Sequence, residues 1–197
     1  GYDVTLFEKN SYTGGKAATV SGSGFTFDAG PSLLTMPFIL ENLFTQCGED
    51  LSKYIQLKPL ETICRYFYPT GTVINAYADR KRFGQEIETK TGESAEKLYR
   101  YLDYCRDIYA TAAEIFVLND FRSPKLFLSG KGLKALLNLP KIDPLRSVHR
   151  ANRDYFTDAR LVQLFDRYAT YNGSNPYSAP ATLNIIPHVE CSMGAYI

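Results

Sequence analysis

The order of apolar and polar positions predicts a strand, two hairpins and then a series of helices. Val4-Thr5-Leu6-Phe7 is a β-rich run closed by Glu8 and predicts a buried strand of an α/β sheet. Ala17–Val20 and Phe25–Phe27 flank Ser21-Gly22-Ser23-Gly24, the pattern of a hairpin with a flexible tip. Pro37 opens a helix with apolar positions at Ile39, Leu40, Leu43, Phe44 and Cys47, stopped by Gly48. Cys64–Tyr68 and Thr72–Tyr77 surround Pro69-Thr70-Gly71 and predict a second hairpin.

Helices follow. Asp79 is placed to cap one that ends near Gly92, and Ser94 to cap a longer one. Leu98, Tyr101, Leu102, Cys105, Ile108, Tyr109, Ala112, Ile115 and Phe116 form its apolar stripe. Asp143-Pro144 predicts a further helix start, with the acid as cap and the proline in the first turn. Thr157 or Asp158 starts the next, which carries Leu161, Val162, Phe165 and Tyr168. Leu183–Ile186 and Gly194–Ile197 are expected to return to strand.

Composition narrows the function classes. Lys and Arg number 22 against 21 Asp and Glu in 197 residues, so the basic excess that bulk nucleic-acid binding needs is absent. Cys47, Cys64, Cys105 and Cys191 form no CxxC pair, and His149 and His188 are the only imidazoles, which argues against a zinc site. Scattered single cysteines suit a reducing cytoplasm. The opening Gly1-Tyr2-Asp3 has no charged segment followed by an apolar run and is read as no secretory signal. Tyr168–Val189 is charge-free with neutral His188, but Asn172, Gly173, Pro176, Pro180 and Pro187 exclude a spanning helix there.

Candidate chemistry is concentrated near the start. An acid at the end of a strand, such as Glu8, is the residue type that accepts ribose hydroxyls in dinucleotide-binding units. Its glycine-rich turn would lie about 20 residues earlier, before Gly1. Gly14-Gly15-Lys16 offers bare backbone and a cation to a pyrophosphate, or forms a tight turn before the hairpin. Asp28-Ala29-Gly30-Pro31-Ser32 offers bare backbone to a flat ring, or a plain strand-to-helix turn.

Together, Phe7-Glu8-Lys9, Gly14-Gly15-Lys16 and Phe25–Ser32 resemble the FAD-binding amino-oxidase-like superfamily, and within it the carotenoid (phytoene) desaturase family. The runs Leu161–Pro176 and Ile185–Glu190 are similar to that family as well. The family usually has Arg where this chain has Lys16, which keeps the charge and loses the bidentate fork. The resemblance covers the chain and implies less than half of such an enzyme, without its upstream glycine turn or its C-terminal half. It implies an α/β (α+β overall) fold. Residues 1–53 would be part of a Rossmann-like FAD-binding domain, and 54–197 part of a substrate domain of antiparallel strands and helices.

The resemblance also implies FAD held by Glu8, Lys9, Gly14, Gly15, Lys16, Gly30, Pro31 and Ser32, and desaturation of a carotenoid such as phytoene by hydride transfer to the flavin in carotenoid biosynthesis. A desaturase of a hydroxylated carotenoid, a polyene isomerase or saturase, and a non-catalytic lipid-binding fragment are the alternatives. His188 and Glu190, at i and i+2 on an expected strand, would face one side and are the polar pair considered for catalysis. No metal is expected.

Phe121–Ile142 contains no acid and a net charge of +5, with Arg122, Lys125, Lys131, Lys134 and Lys141 set among leucines. That interleaving predicts either a peripheral, monotopic contact with a membrane surface or an ordinary surface helix. The carotenoid substrate and the membrane are the partners this reading implies, in a cytoplasmic protein.

Overall fold

Ser23 and Gly24 both take positive φ, 52° and 81°, and so close a two-residue turn whose twist suits the strands it joins. The turn links β1 (Thr19–Gly22) to β2 (Phe25–Asp28) in the computed structural model, which describes residues 2–116 and 138–197. The strands reach further into the expected flexible tip than the sequence indicated. The Ser21 and Thr26 hydroxyls meet across the pair at 3.0 Å and hold the register there. Val4–Phe7 forms no strand: Val4, Leu6 and Phe7 are 77%, 75% and 90% exposed, and no described segment pairs with them. Strand-forming composition is insufficient without a neighbour to receive its ladder.

Helix α1 (Pro37–Gln46) starts at the expected proline. The second hairpin, β3 (Thr62–Phe67) with β4 (Val73–Tyr77), is antiparallel as expected, with a bulge between Thr62 and Cys64. Its Ile74 and Ala76 are fully buried against α2 (Arg80–Thr91) and α3 (Ala95–Phe116). Asp79 caps α2 through the Arg82 N–H at 2.7 Å, and Gly92 ends it in the left-handed region. Ser94 accepts from the Glu96 N–H at the start of α3. Gly84 lets α2 and α3 approach: a Cβ there would lie 2.8 Å from that of Ala95.

Three further helices close the core: α4 (Val148–Tyr155), α5 (Ala159–Asp166) and α6 (Ile185–Met193). Asp158 caps α5 as expected. The helix expected at Asp143-Pro144 begins instead at Val148, capped by Ser147. Asp143 is spent elsewhere: its carboxylate accepts from Arg146 Nε and, at 2.6 Å, from the Tyr104 hydroxyl. Leu183–Ile186 is not strand. A 3-10 turn over Ala181–Asn184 runs straight into α6. Pro187 falls in the first turn of α6, where its missing N–H forfeits no helical bond. The strand expectation for Gly194–Ile197 is met by bridges only: Tyr196 pairs antiparallel with both Leu34 and Pro59.

Tyr101, Phe156 and Phe165 form the centre of the core. The Tyr101 ring lies 4.4 Å from that of Phe165 and 5.2 Å from that of Phe156, and all three side chains are essentially inaccessible. Leu98, Tyr101, Leu102 and Cys105 of the stripe read from the sequence thus share one core with Phe156, Phe165 and Tyr168, while Ile108 and Ala112 pack with Ile142.

Candidate functional site

The expected flavin-contacting residues lie along the surface between Glu8 and Ser32, and all eight are exposed. Two of their segments meet. The Ala29 N–H donates to the Ala18 carbonyl at 2.8 Å, and a Cβ on Gly30 would sit 1.9 Å from the Lys16 carbonyl oxygen. The close approach at Gly30 is therefore made to the Lys16 main chain. Gly14 and Gly15 take φ of 104° and 58°, and nothing lies within 4 Å of the Cβ position at Gly15. Glu8 Oε1 accepts from the Asn10 N–H and side-chain amide at 2.8 and 2.9 Å, while Oε2 has no partner among the described residues. Exposed backbone N–H groups, a cation and a carboxylate with an open oxygen form a donor and acceptor set that fits a dinucleotide.

The polar pair His188 and Glu190 is separated by the structure. Both lie on α6, where two residues turn the side chain by roughly 200°. Glu190 is 1% exposed and accepts from Arg167 Nη2 and the Tyr168 hydroxyl, each at 2.8 Å, and from the Tyr171 hydroxyl. Burial works against the Arg167 charge, but Tyr168, Tyr66 and Glu190 outweigh it and hold the guanidinium above its ordinary value. The buried Glu190 carboxylate is thus committed to the partly exposed Arg167 guanidinium and to the two tyrosine hydroxyls, while Arg167 Nε has no partner among the described residues. His188 faces away from it, with its ring 4.9 Å from that of Tyr109. Burial, with the nearby Arg106 charge, pushes its pKa below the ordinary histidine value.

A cavity of about 880 Å³ opens between α4, α5 and the Asn172–Tyr177 loop. The loop takes the turn its residues predict. Gly173 is left-handed, and Asn175 Oδ1 accepts from the Tyr177 N–H at 2.9 Å. Its main chain is tied to the start of α4, where the His149 N–H donates to the Pro176 carbonyl at 3.0 Å. His149 consequently lies on the cavity wall with its ring 4.3 Å from that of Tyr177. His149 Nδ1 meets Asp166 Oδ2 at 2.6 Å, Asn152 donates to Asp166 Oδ1 at 2.9 Å, and Asn184 donates to Asn152 at 3.2 Å. Asn152, Asn184 and Asp166 are buried. Sequence reasoning gave His149 no role beyond counting it in the argument against a zinc site, because Asp166 is seventeen residues away in the next helix. The spacing of Asn152 one turn after His149 was the available signal.

Of the basic window 121–142, residues 121–137 lie outside the described residues. Among the described residues, no helix is long and apolar enough to cross a membrane.

Comparison with known proteins adds an independent line. The family model for flavin containing amine oxidoreductases matches residues 1–185. A 1-hydroxycarotenoid 3,4-desaturase of Flavobacterium sp. is 34% identical over 196 residues, which are 100% of this chain and 40% of that protein. A 4,4'-diapolycopene oxygenase of Methylomonas sp is 34% identical, with 100% of this chain and 39% of the relative covered. A 4,4'-diaponeurosporene oxygenase of Staphylococcus haemolyticus is 29% identical over the same shares. The chain therefore spans about two fifths of the length of these curated relatives.

Proposed function

Because the chain belongs to the flavin containing amine oxidoreductase family, we propose that it is part of an FAD-dependent carotenoid desaturase. The observation that carries this reading is the match of the whole of this chain to 40% of a 1-hydroxycarotenoid 3,4-desaturase, found together with a meeting of the Gly14–Lys16 and Asp28–Ser32 segments. In this reading residues 1–53 belong to a Rossmann-like flavin domain, and 54–197 to the substrate and membrane side. The substrate is a carotenoid, with a hydroxylated one favoured by the name of that relative.

Glu8 would accept the ribose hydroxyls, with Lys9 beside it, and Lys16 with the N–H groups of Gly14 and Gly15 would neutralise and cradle the pyrophosphate. Gly30, Pro31 and Ser32 would border the ring. When bound, the flavin supplies a two-electron acceptor for hydrogen taken from the substrate. The protein's task is then to orient an apolar chain and exclude water, for which few ionisable groups are needed. The basic and apolar window 121–142 would rest on the membrane surface from which such a substrate is drawn.

Product mass tests the reaction. The full-length protein, supplied with a carotenoid in vesicles, should release a product lighter by two hydrogens. A product of unchanged mass, or none, would overturn the desaturase reading. A second reading has its own support, since a relative named as an oxygenase matches at the same 34% identity. It predicts a product that has gained oxygen.

A further inference from the structure

The cavity between α4 and α5 is built unlike a hydrocarbon channel. Phe156, Val162 and Tyr177 give it apolar walls, yet a hydrogen-bonded chain from Asn184 through Asn152 and Asp166 ends at His149 on its surface. Buried polar side chains are costly unless partnered; here Asn152 and Asp166 are partnered through the chain that fixes one imidazole, while Asn184 Oδ1 has no partner among the described residues. A carboxylate oxygen only accepts, so His149 Nδ1 carries a hydrogen toward Asp166, and in the neutral ring Nε2 is then the acceptor. No described residue partners Nε2.

Formal charges around the cavity sum to zero: Arg167 is ion-paired with Glu190, and the single charges of Arg153 and Asp166 on the lining cancel, although no ion pair joins those two. A neutral ligand with one hydroxyl on an apolar body matches this lining better than an anion does. We propose that this cavity seats the hydroxylated end group of a polyene, with the hydroxyl donating to His149 Nε2 and the Tyr177 ring covering the imidazole. The proposal rests on the desaturase reading for the nature of the ligand. His149 is here a specificity residue, and Asp166 and Asn152 position it.

The test uses the full-length, flavin-loaded protein and two probes, a 1-hydroxy polyene and the hydrocarbon of equal length, each supplied in phosphatidylcholine vesicles. The polyene retained by the protein after vesicle removal is read by absorbance. The wild-type protein should retain the hydroxylated probe about tenfold better, the scale of one buried hydrogen bond. His149→Leu should bring the two within about twofold. Should that variant fail to fold by circular dichroism, His149→Phe keeps a ring against Tyr177 and carries the same expectation. Equal retention by the wild type, or an unchanged preference in a folded variant, would overturn the proposal. A His149-dependent preference without any desaturation would uphold the site and overturn the reaction reading instead.

Discussion

Residues 2–50 and the helical body obey the same local rules and differ in what those rules achieve. The first region has its two-residue turn, its cross-strand hydroxyl pair and its proline-started helix, yet none of its side chains is buried. Val20, Phe25 and Phe27 share one face of the first hairpin and are 61–65% exposed. In the second hairpin, Ile74 and Ala76 alternate in the same way and are fully buried under α2 and α3. The difference teaches that a turn and an alternation specify a hairpin, whereas its stability comes from what covers its apolar face.

The largest expected effect follows from that contrast. Phe165→Ala should cost about 3–5 kcal/mol in urea unfolding of the 197-residue chain. Phe27→Ala, in the uncovered hairpin, should change stability by no more than about 0.5 kcal/mol. Comparable losses from both substitutions would break the distinction between the two regions.

A smaller effect concerns how the body is joined. Glu93 Oε1 accepts from the Thr157 N–H, the Thr157 hydroxyl and the Asp158 N–H, each at 2.6 Å, and Oε2 from Lys97. Burial alone would raise its pKa, but Lys97, Thr157 and Asp158 outweigh it and bring it to about 2. The folded value is thus below the ordinary 4.5, so its contribution is complete above pH 4.5 and is lost as pH falls toward about 2. Glu93→Gln should cost about 1–2 kcal/mol at neutral pH. The difference between wild type and variant should shrink through that acid window in pH-dependent unfolding. A difference independent of pH would contradict the assignment.

The smallest effect on stability should come from Glu8. Glu8→Ala should leave unfolding unchanged within about 0.5 kcal/mol, because the residue is exposed. In the full-length protein it should weaken flavin retention roughly tenfold, as expected for a lost charge-assisted hydrogen bond. Equal flavin retention would remove Glu8 from the proposed site.

What was legible in the sequence was largely what neighbours along the chain decide. Asp79, Ser94 and Asp158 cap the helices they were expected to cap, because a cap needs only its own next turn. The errors fall where a distant partner decides. Asp143 looks like a cap until Tyr104, on another helix, claims its carboxylate. Ile185 and Ile186 look like strand, but no described strand lies beside them and Pro187 suits a first helical turn. The same applies to chemistry. His188 and Glu190 were paired by their spacing and are parted by the helix, while His149 and Asp166 are joined by two helices and a loop. The Gly14–Lys16 and Gly30 segments were legible as motifs, although the Lys16 carbonyl packed against Gly30 was not.

The proposed flavin chemistry is tested most directly by anaerobic mixing of the full-length protein with its carotenoid in vesicles, followed by absorption. The account predicts that the oxidised flavin band bleaches in step with a red shift of the polyene bands, one flavin reduced for each double bond formed. A flavin band that persists while the polyene changes, or a purified protein that carries no flavin, would contradict it.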